Sequence, residues 1–472
     1  MAEKTRYKKN ICWIQAEGFF YPYQLRHRQA EVLRLTGGWQ QARELEEENL
    51  RFAGLALKPE LSADCKVFLS GLLSNLSQYQ AALPLAREAL EHHCSQNNIQ
   101  GQCQALLALV EAHKQMGEYQ EVCDHCRRII ELAQAAGIDN LVARALRNLG
   151  IIHLRQGKYA EAQKYFEQDM SICRKQGDLQ GQARANGNMG LVYDYQGDSR
   201  QSIACQQNKL DICIKIGDKQ GVAYANMSLG TVYVKLNQLA QARELFQKSL
   251  ETSWELGDIR NICLACGNLS AVCLETGDYE RALTYSQQQL LGAEETKDKF
   301  NQLFALGNMG AIYRRLKQET KAEECFDRAI SLCRETGQQH DLAINLHDKA
   351  VLCFSRKMYT ESEQLNNEAL EIASEIHVRN VLSPARLLKA KLAAVTNANE
   401  GMIQMQKALN ESQDYEEMAP LNLELFKLTG DQTYKKTALS LYTMLNSKSA
   451  RIEYQEALDD LNRKEIFEVP LP

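Results

Sequence analysis

Nowhere in this sequence do 18 uncharged apolar residues stand together, so no segment reads as a transmembrane helix. The basic opening, Met1 to Asn10, is followed by no apolar run of signal-peptide quality, and the chain is expected to be neither secreted nor membrane-spanning. Positive charge is not in excess: 55 Lys and Arg stand against 60 Asp and Glu, a formal net charge of −5 with pI near 6.1. A nucleic-acid-binding surface needs a basic balance, so nucleic acid is not an expected partner. Glycine-rich phosphate loops, nucleophile elbows and His-Glu-x-x-His runs are all missing. The chain is therefore read as non-enzymatic, with no cofactor and no metal expected. Proline is scarce as well, seven residues in 472.

What is present is an ordinary globular composition, 44% hydrophobic and 24% charged, enough apolar residues for an extended core. Cysteine is plentiful, 15 residues, but its placement follows a repeat and not a pairing scheme. Cys173, Cys213 and Cys333 fall where Ala133, Ser253, Ala293 and Ala373 fall one or more periods away, and Cys273 and Cys353 take the place of Tyr193, Tyr233 and Tyr313. Such thiols pack as small hydrophobes in a reducing compartment, which points to the cytoplasm. The pairs Cys123–Cys126 and Cys263–Cys266 have metal-like spacing, yet both lie in helical stretches with no second ligand pair behind them. His113 and His153 occupy the tyrosine position of the repeat and read as core residues.

The repeat itself has a period of 40: Asn148-Leu149-Gly150, Asn188-Met189-Gly190, Ser228-Leu229-Gly230, Asn268-Leu269-Ser270 and Asn308-Met309-Gly310. Within one unit, Leu146, Leu149, Gly150 and His153 form one stripe of a first helix, and Ala162, Phe166, Met170 and Cys173 one stripe of a second. Gly157-Lys158-Tyr159 marks the turn between them, and Gly177-Asp178, Gly217-Asp218 and Gly257-Asp258 close successive units. Glycine at position 150 lets the helices of a hairpin approach closely. The small residues Ala42, Ala82, Ala162, Ser202, Ala242, Ala282, Ala322 and Ser362 share one phase on the inner contact of the hairpin. The reading is an all-α solenoid of tandem helical hairpins: an aromatic N-terminal cap over 1–23, about nine hairpins over 24–380, and degenerate repeats with capping helices over 381–472.

On the far side of the first helix lies a second stripe, which makes a candidate groove. It reads Arg144, Asn148, Ile151 and Arg155, then Arg184, Asn188, Leu191 and Tyr195, then Tyr224, Ser228, Thr231 and Lys235. Leu264, Asn268, Ala271 and Glu275 follow, and then Phe304, Asn308, Ala311 and Arg315, with Arg314 adjacent. Arg147 adds to the positive charge gathered on these helices. Arginine forks pair bidentately with carboxylates, so an acidic linear motif of a protein or peptide partner is the expected ligand.

Leu149-Gly150, His153, Gly157, Tyr159, Ala162 and Phe166 together resemble the tetratricopeptide repeat. At 40 residues with a Gly-Asp closure, in place of 34 with a closing proline, the unit is similar to the long-helix subclass of LGN proteins and kinesin light chains. That resemblance implies a right-handed superhelix with the first helices on its concave face, and asparagines that hold the backbone of an extended peptide. It carries this role to Asn148, Asn188, Asn268 and Asn308. An amide can serve a peptide N–H and C=O whatever the side chains are. The leading expectation is a binding scaffold or adaptor. The alternatives are a regulatory or sensor subunit related to the helical-repeat region of large bacterial signalling proteins of the nucleotide-cyclase or ATPase type, and a signalling-peptide receptor.

Overall fold

The computed structural model describes residues 20–35, 38–449 and 451–463. Most of the aromatic segment expected to cap the N-terminus, residues 1–19, lies outside them. Among the described residues every regular element is an α-helix, and the chain divides into two compact units, Met1–Ile216 and Gly217–Pro472.

The first unit holds α1 (Phe20–Leu35), α2 (Trp39–Leu55), α3 (Pro59–Asn75), α4 (Tyr79–Ser95), α5 (Ile99–Met116), α6 (Tyr119–Ala135), α7 (Asp139–Arg155), α8 (Tyr159–Gln176), α9 (Leu179–Tyr195) and α10 (Ser199–Ile216). The second holds α11 (Lys219–Lys235), α12 (Leu239–Leu256), α13 (Ile259–Glu275), α14 (Tyr279–Glu295), α15 (Lys299–Arg315), α16 (Glu319–Thr336), α17 (Gln339–Ser355), α18 (Tyr359–Glu375) and α19 (Arg379–Thr396). It ends with α20 (Ala398–Glu411), α21 (Tyr415–Thr429), α22 (Gln432–Lys448) and α23 (Ile452–Asn462).

From Trp39 to Arg379 a new helix begins every 20 residues. The turns explain this regularity. Every twentieth residue from Leu57 to His377 has positive φ, whether it is glycine or not. A left-handed residue at a helix C-terminus ends the helix at one defined place and turns the chain back. Where Gly-Asp closes a unit the following aspartate caps the next helix: Asp178 accepts from Gly181 N at 2.8 Å, Asp218 from Gly221 N at 2.8 Å, and Asp258 from Asn261 N at 3.1 Å.

Within each unit every helix packs on its predecessor and successor, and odd-numbered helices also touch odd-numbered ones. In the first unit α3 meets α5, α5 meets α7 and α7 meets α9; in the second the same holds from α11 through α21. Even-numbered helices approach one another less, so the first helices form the inner face of each unit. The core between the helices of a hairpin is filled by a ring from the second helix. Phe166, Phe246 and Phe326 are completely or almost completely buried, each opposite a glycine. A Cβ at Gly150, Gly230 or Gly310 would stand 2.5 to 2.6 Å from the nearest ring atom. The glycines make room for a phenyl ring, a different reason from the close backbone approach the sequence suggested. The repeat-phase cysteines Cys173, Cys213, Cys273, Cys333 and Cys353 are buried.

After α18 the sequence register blurs, but α19 keeps the 20-residue step and accommodates Pro384 within its first two turns. The step is first lost at Asn397, which caps α20. Gly430 at φ 73° ends α21 and Asp431 caps α22 through Thr433 N at 2.8 Å, so α21 and α22 form a hairpin within the stretch expected to hold degenerate repeats. Tyr442, Leu445, Tyr454, Ala457 and Leu461 pack with Leu423 and Phe426, joining α21, α22 and α23 in one cluster.

Candidate functional site

The predicted stripe falls on both units. In the first, Arg144, Asn148 and Arg155 lie on α7 and Arg184, Asn188 and Tyr195 on α9. Arg144 and Asn148 line a cleft of about 1040 Å³ that runs over α1, α3, α5 and α7, with Tyr23, His27, Arg34 and Phe68 on its other wall. Among the described residues no carboxylate lies within ion-pair distance of Arg144. Arg144 is exposed along the cleft, and partial loss of solvent around its guanidinium, followed by the charges of Arg147, Arg184 and Arg34, pushes it below the ordinary arginine range. Loss of solvent is the larger cause and the neighbouring like charges add to it; Glu31, Asp64 and Glu111 also line the cleft. Arg184 stands 3.7 Å from Asp178, and Arg34 lies over the Phe68 ring at 5.6 Å. Tyr195, 61% exposed, stacks on Tyr159 with centroids 6.0 Å apart. Arg155 and Asn188 face the same side, exposed and half-buried.

Arg147 does not join this group. Its Nε and NH2 donate to Asp169 at 2.9 and 3.1 Å, and Asp169 is fully buried on α8, so Arg147 is committed to holding a hairpin together. The amide of Asn148 donates to Arg144 O at 3.0 Å within its own helix, and Asn148 lines the cleft.

In the second unit the stripe is more apolar. Tyr224, Leu264 and Ile344 are half-buried and Phe304 is 38% exposed, where the first unit has Gln104, Arg144 and Arg184 at the same phase. Phe304 meets Phe300 edge-on with centroids 4.7 Å apart. The Tyr224 hydroxyl is pushed up by burial. Lys235 is exposed at the end of α11. Asn268 donates to Met227 Sδ on the neighbouring first helix at 3.1 Å, whereas Asn308 is half-buried with no hydrogen-bond partner among the described residues. Arg314 lies 3.6 Å from Asp348. Arg315 donates to Glu456 of α23 at 2.8 Å.

Sequence reasoning missed the far wall of the first cleft, which belongs to the degenerate opening hairpins. There His27 Nδ1 lies 3.0 and 3.1 Å from the two oxygens of Glu46, a fully buried carboxylate that also accepts from Asn49 at 3.0 Å. Arg26 donates to Asn49 Oδ1 at 3.0 Å. The Glu46 hydrogen bond raises the His27 pKa against the opposing effect of burial. The one available signal was the departure of Glu46 from the ring position held by Phe166 in the regular repeats.

The cysteine pairs that looked metal-like are core residues. Burial pushes the Cys126 and Cys266 thiols up to about 12, far from the thiolate that ligation or redox work requires. Among the described residues no helix is long and apolar enough to cross a membrane.

Four stretches, residues 101–175, 181–253, 262–335 and 301–375, match the tetratricopeptide repeat family. A search of curated proteins found no match. Among solved structures, the STAND signal-transduction ATPase with a tetratricopeptide repeat sensor from Pyrococcus horikoshii is 13% identical. That match covers 93% of this chain and 73% of the other, with a TM-score of 0.52. A Rap protein complexed with Competence and Sporulation Factor is 13% identical over 75% of this chain and 98% of its own, with a TM-score of 0.50. A putative kinesin light chain from Podosopora anserina with nearly identical TPR-like repeats is 15% identical over 41% of this chain and 95% of its own, with a TM-score of 0.35. At these identities the likeness is one of fold alone. The family match spans more than half of the chain, and the chain belongs to the tetratricopeptide repeat family.

Proposed function

We propose that the chain is a non-enzymatic, cytoplasmic binding scaffold that holds an acidic, extended segment of a partner protein against its first helices. In this reading the hairpins of 24–380 are the binding array, and 381–472 is a closing cap. One observation carries it: Arg144 stands uncompensated in the first-unit cleft beside the charges of Arg34 and Arg184. Bringing like charges together is unfavourable, and a ligand carboxylate that binds between them relieves the repulsion while gaining bidentate hydrogen bonds. Asn148 and Asn188 would hold the peptide backbone in this unit, and Asn268 and Asn308 in the other. Arg155, Tyr195, Tyr224, Lys235, Phe304, Arg314 and Arg315 would set side-chain preference.

The test is fluorescence anisotropy with labelled octaglutamate and octalysine peptides. Octaglutamate is expected to bind with an affinity that falls as salt rises, octalysine not to bind, and Arg144→Glu with Arg184→Glu to abolish the signal in a protein of unchanged helicity. Equal binding of octaglutamate by wild type and variant would refute the reading.

A second reading, a sensor or signalling-peptide receptor, draws support from the fold shared with the Rap protein and the STAND sensor. It predicts a smaller radius of gyration once peptide is bound, whereas a static scaffold keeps its dimensions.

A further inference from the structure

The end of the chain returns to the hairpins of its own unit. Tyr454, Ala457 and Leu461 bury one side of α23 against α21 and α22. Its other side meets the ends of three first helices. Arg451, the residue before α23, places Nε 3.3 Å from Glu275 Oε2 at the end of α13, and its NH2 donates to Asn237 Oδ1 just past α11 at 3.1 Å. Ile452 sits over the turn after α13, where a Cβ on Gly277 would come within 3.0 Å of it. One helical turn on, Glu456 accepts from Arg315 at the end of α15. Ile452 and Glu456 are four residues apart and so share a helix face.

These contacts change the surface they cover. Glu275 and Arg315 are half-buried, while Arg155 and Tyr195, at the same phase of the first-unit helices, are exposed. Glu275 Oε2 and Arg451 Nε are shielded from solvent and have no hydrogen-bond partner, so they meet as an ion pair only. Burial accordingly pushes the Glu275 carboxyl up, with Arg451 opposing.

We propose that the ends of α11, α13 and α15 form a docking site for a helix that opens with Arg-Ile and carries a carboxylate one turn later. In this chain α23 is the resident occupant. Arg315 is thereby engaged by an internal carboxylate, and this part of the groove takes an external acidic segment only when α23 leaves. The displacement half of the proposal rests on the acidic-ligand reading above; the resident contact stands on its own.

The test separates the two. Hydrogen–deuterium exchange of the α23 amides is measured in the full chain and in Arg315→Glu, Glu456→Arg and the double charge swap. Each single reversal is expected to speed exchange roughly three- to tenfold, the size of a lost rim ion pair plus a new like-charge contact, and the swap to restore it. Wild-type exchange in both single variants overturns the docking site. Labelled octaglutamate is then titrated into wild type and Glu456→Gln. Tighter binding by Glu456→Gln, with new protection at the end of α15, is expected. Equal binding overturns displacement, and absence of binding by either protein removes the acidic-ligand reading as well, while the charge-swap result remains.

Discussion

Replacing Gly150 by alanine should destabilise the array, although alanine is the better helix former. In an open helix interior the exchange gains about 1 kcal/mol. At Gly150 the new Cβ would stand 2.5 Å from Phe166 Cε1 and 2.8 Å from Cδ1 and Cζ. Carbon atoms prefer separations of roughly 3.5–4.0 Å, so the ring must retreat by about 1 Å. Phe166 is fully buried and has nowhere to go without disturbing the hairpin. Overpacking of this kind costs about 1–3 kcal/mol, which outweighs the helical gain and leaves a net loss of up to about 2 kcal/mol. Gly54 is the control. It lies in the last turn of α2 with nothing within 4 Å of a new Cβ, so Gly54→Ala should stabilise, by less than the helix-interior value of about 1 kcal/mol. The chain also contains its own rescue: the positions of Gly150 and Phe166 are held by Val110 and Cys126 one repeat earlier, both buried. Gly150→Val should be severely destabilising alone and largely recovered by Phe166→Cys, because volume is then conserved. Urea midpoints followed by circular dichroism read all four proteins. A stabilised Gly150→Ala, or a double variant no better than Gly150→Val, would refute the volume argument.

Three more outcomes follow from particular contacts. Leu57 is 86% exposed in a left-handed turn at φ 52°, so Leu57→Gly should raise stability by about 0.5–1 kcal/mol, read as an upward shift in urea midpoint. Arg147→Ala leaves the buried Asp169 uncompensated and should cost about 3 kcal/mol, whereas Arg144→Ala should stay within about 0.5 kcal/mol by the same chemical denaturation, since Arg144 has no ion pair to lose. His27 has a folded pKa raised above its ordinary 6.5 by Glu46. Its contribution is therefore complete below that value and is lost as pH rises through the folded pKa. Stability of the opening hairpin should fall as pH rises from the ordinary histidine value through the raised folded pKa, and Glu46→Gln should flatten that dependence in thermal melts.

The sequence reveals the hairpins because helix stripes and Gly-Asp closures recur at a fixed spacing. It hides the finer 20-residue rhythm, because Leu57, Ser77, Lys297, Lys317 and Lys357 take the left-handed turn without glycine. Tertiary packing imposes a conformation that local preference would not select. The face of Arg144 and Asn148 was legible from helical phase. That Arg147 belongs elsewhere was not, since Asp169 lies on the next helix and the pairing depends on how two helices meet. The seat of α23 was invisible for the same reason on a larger scale: Arg315 and Glu456 are 141 residues apart, and no local pattern links them. The opening hairpins contribute Tyr23, His27 and Phe68 to the cleft through positions where they depart from the repeat, which is where periodic reasoning has least to offer.

The most direct measurement is a crystal structure of the full chain grown with the octaglutamate peptide. The account predicts peptide carboxylates paired with Arg144 and Arg184 in the first-unit cleft, and backbone amides hydrogen-bonded to Asn148 and Asn188. A peptide ordered on the second helices, with the cleft unchanged, would contradict it.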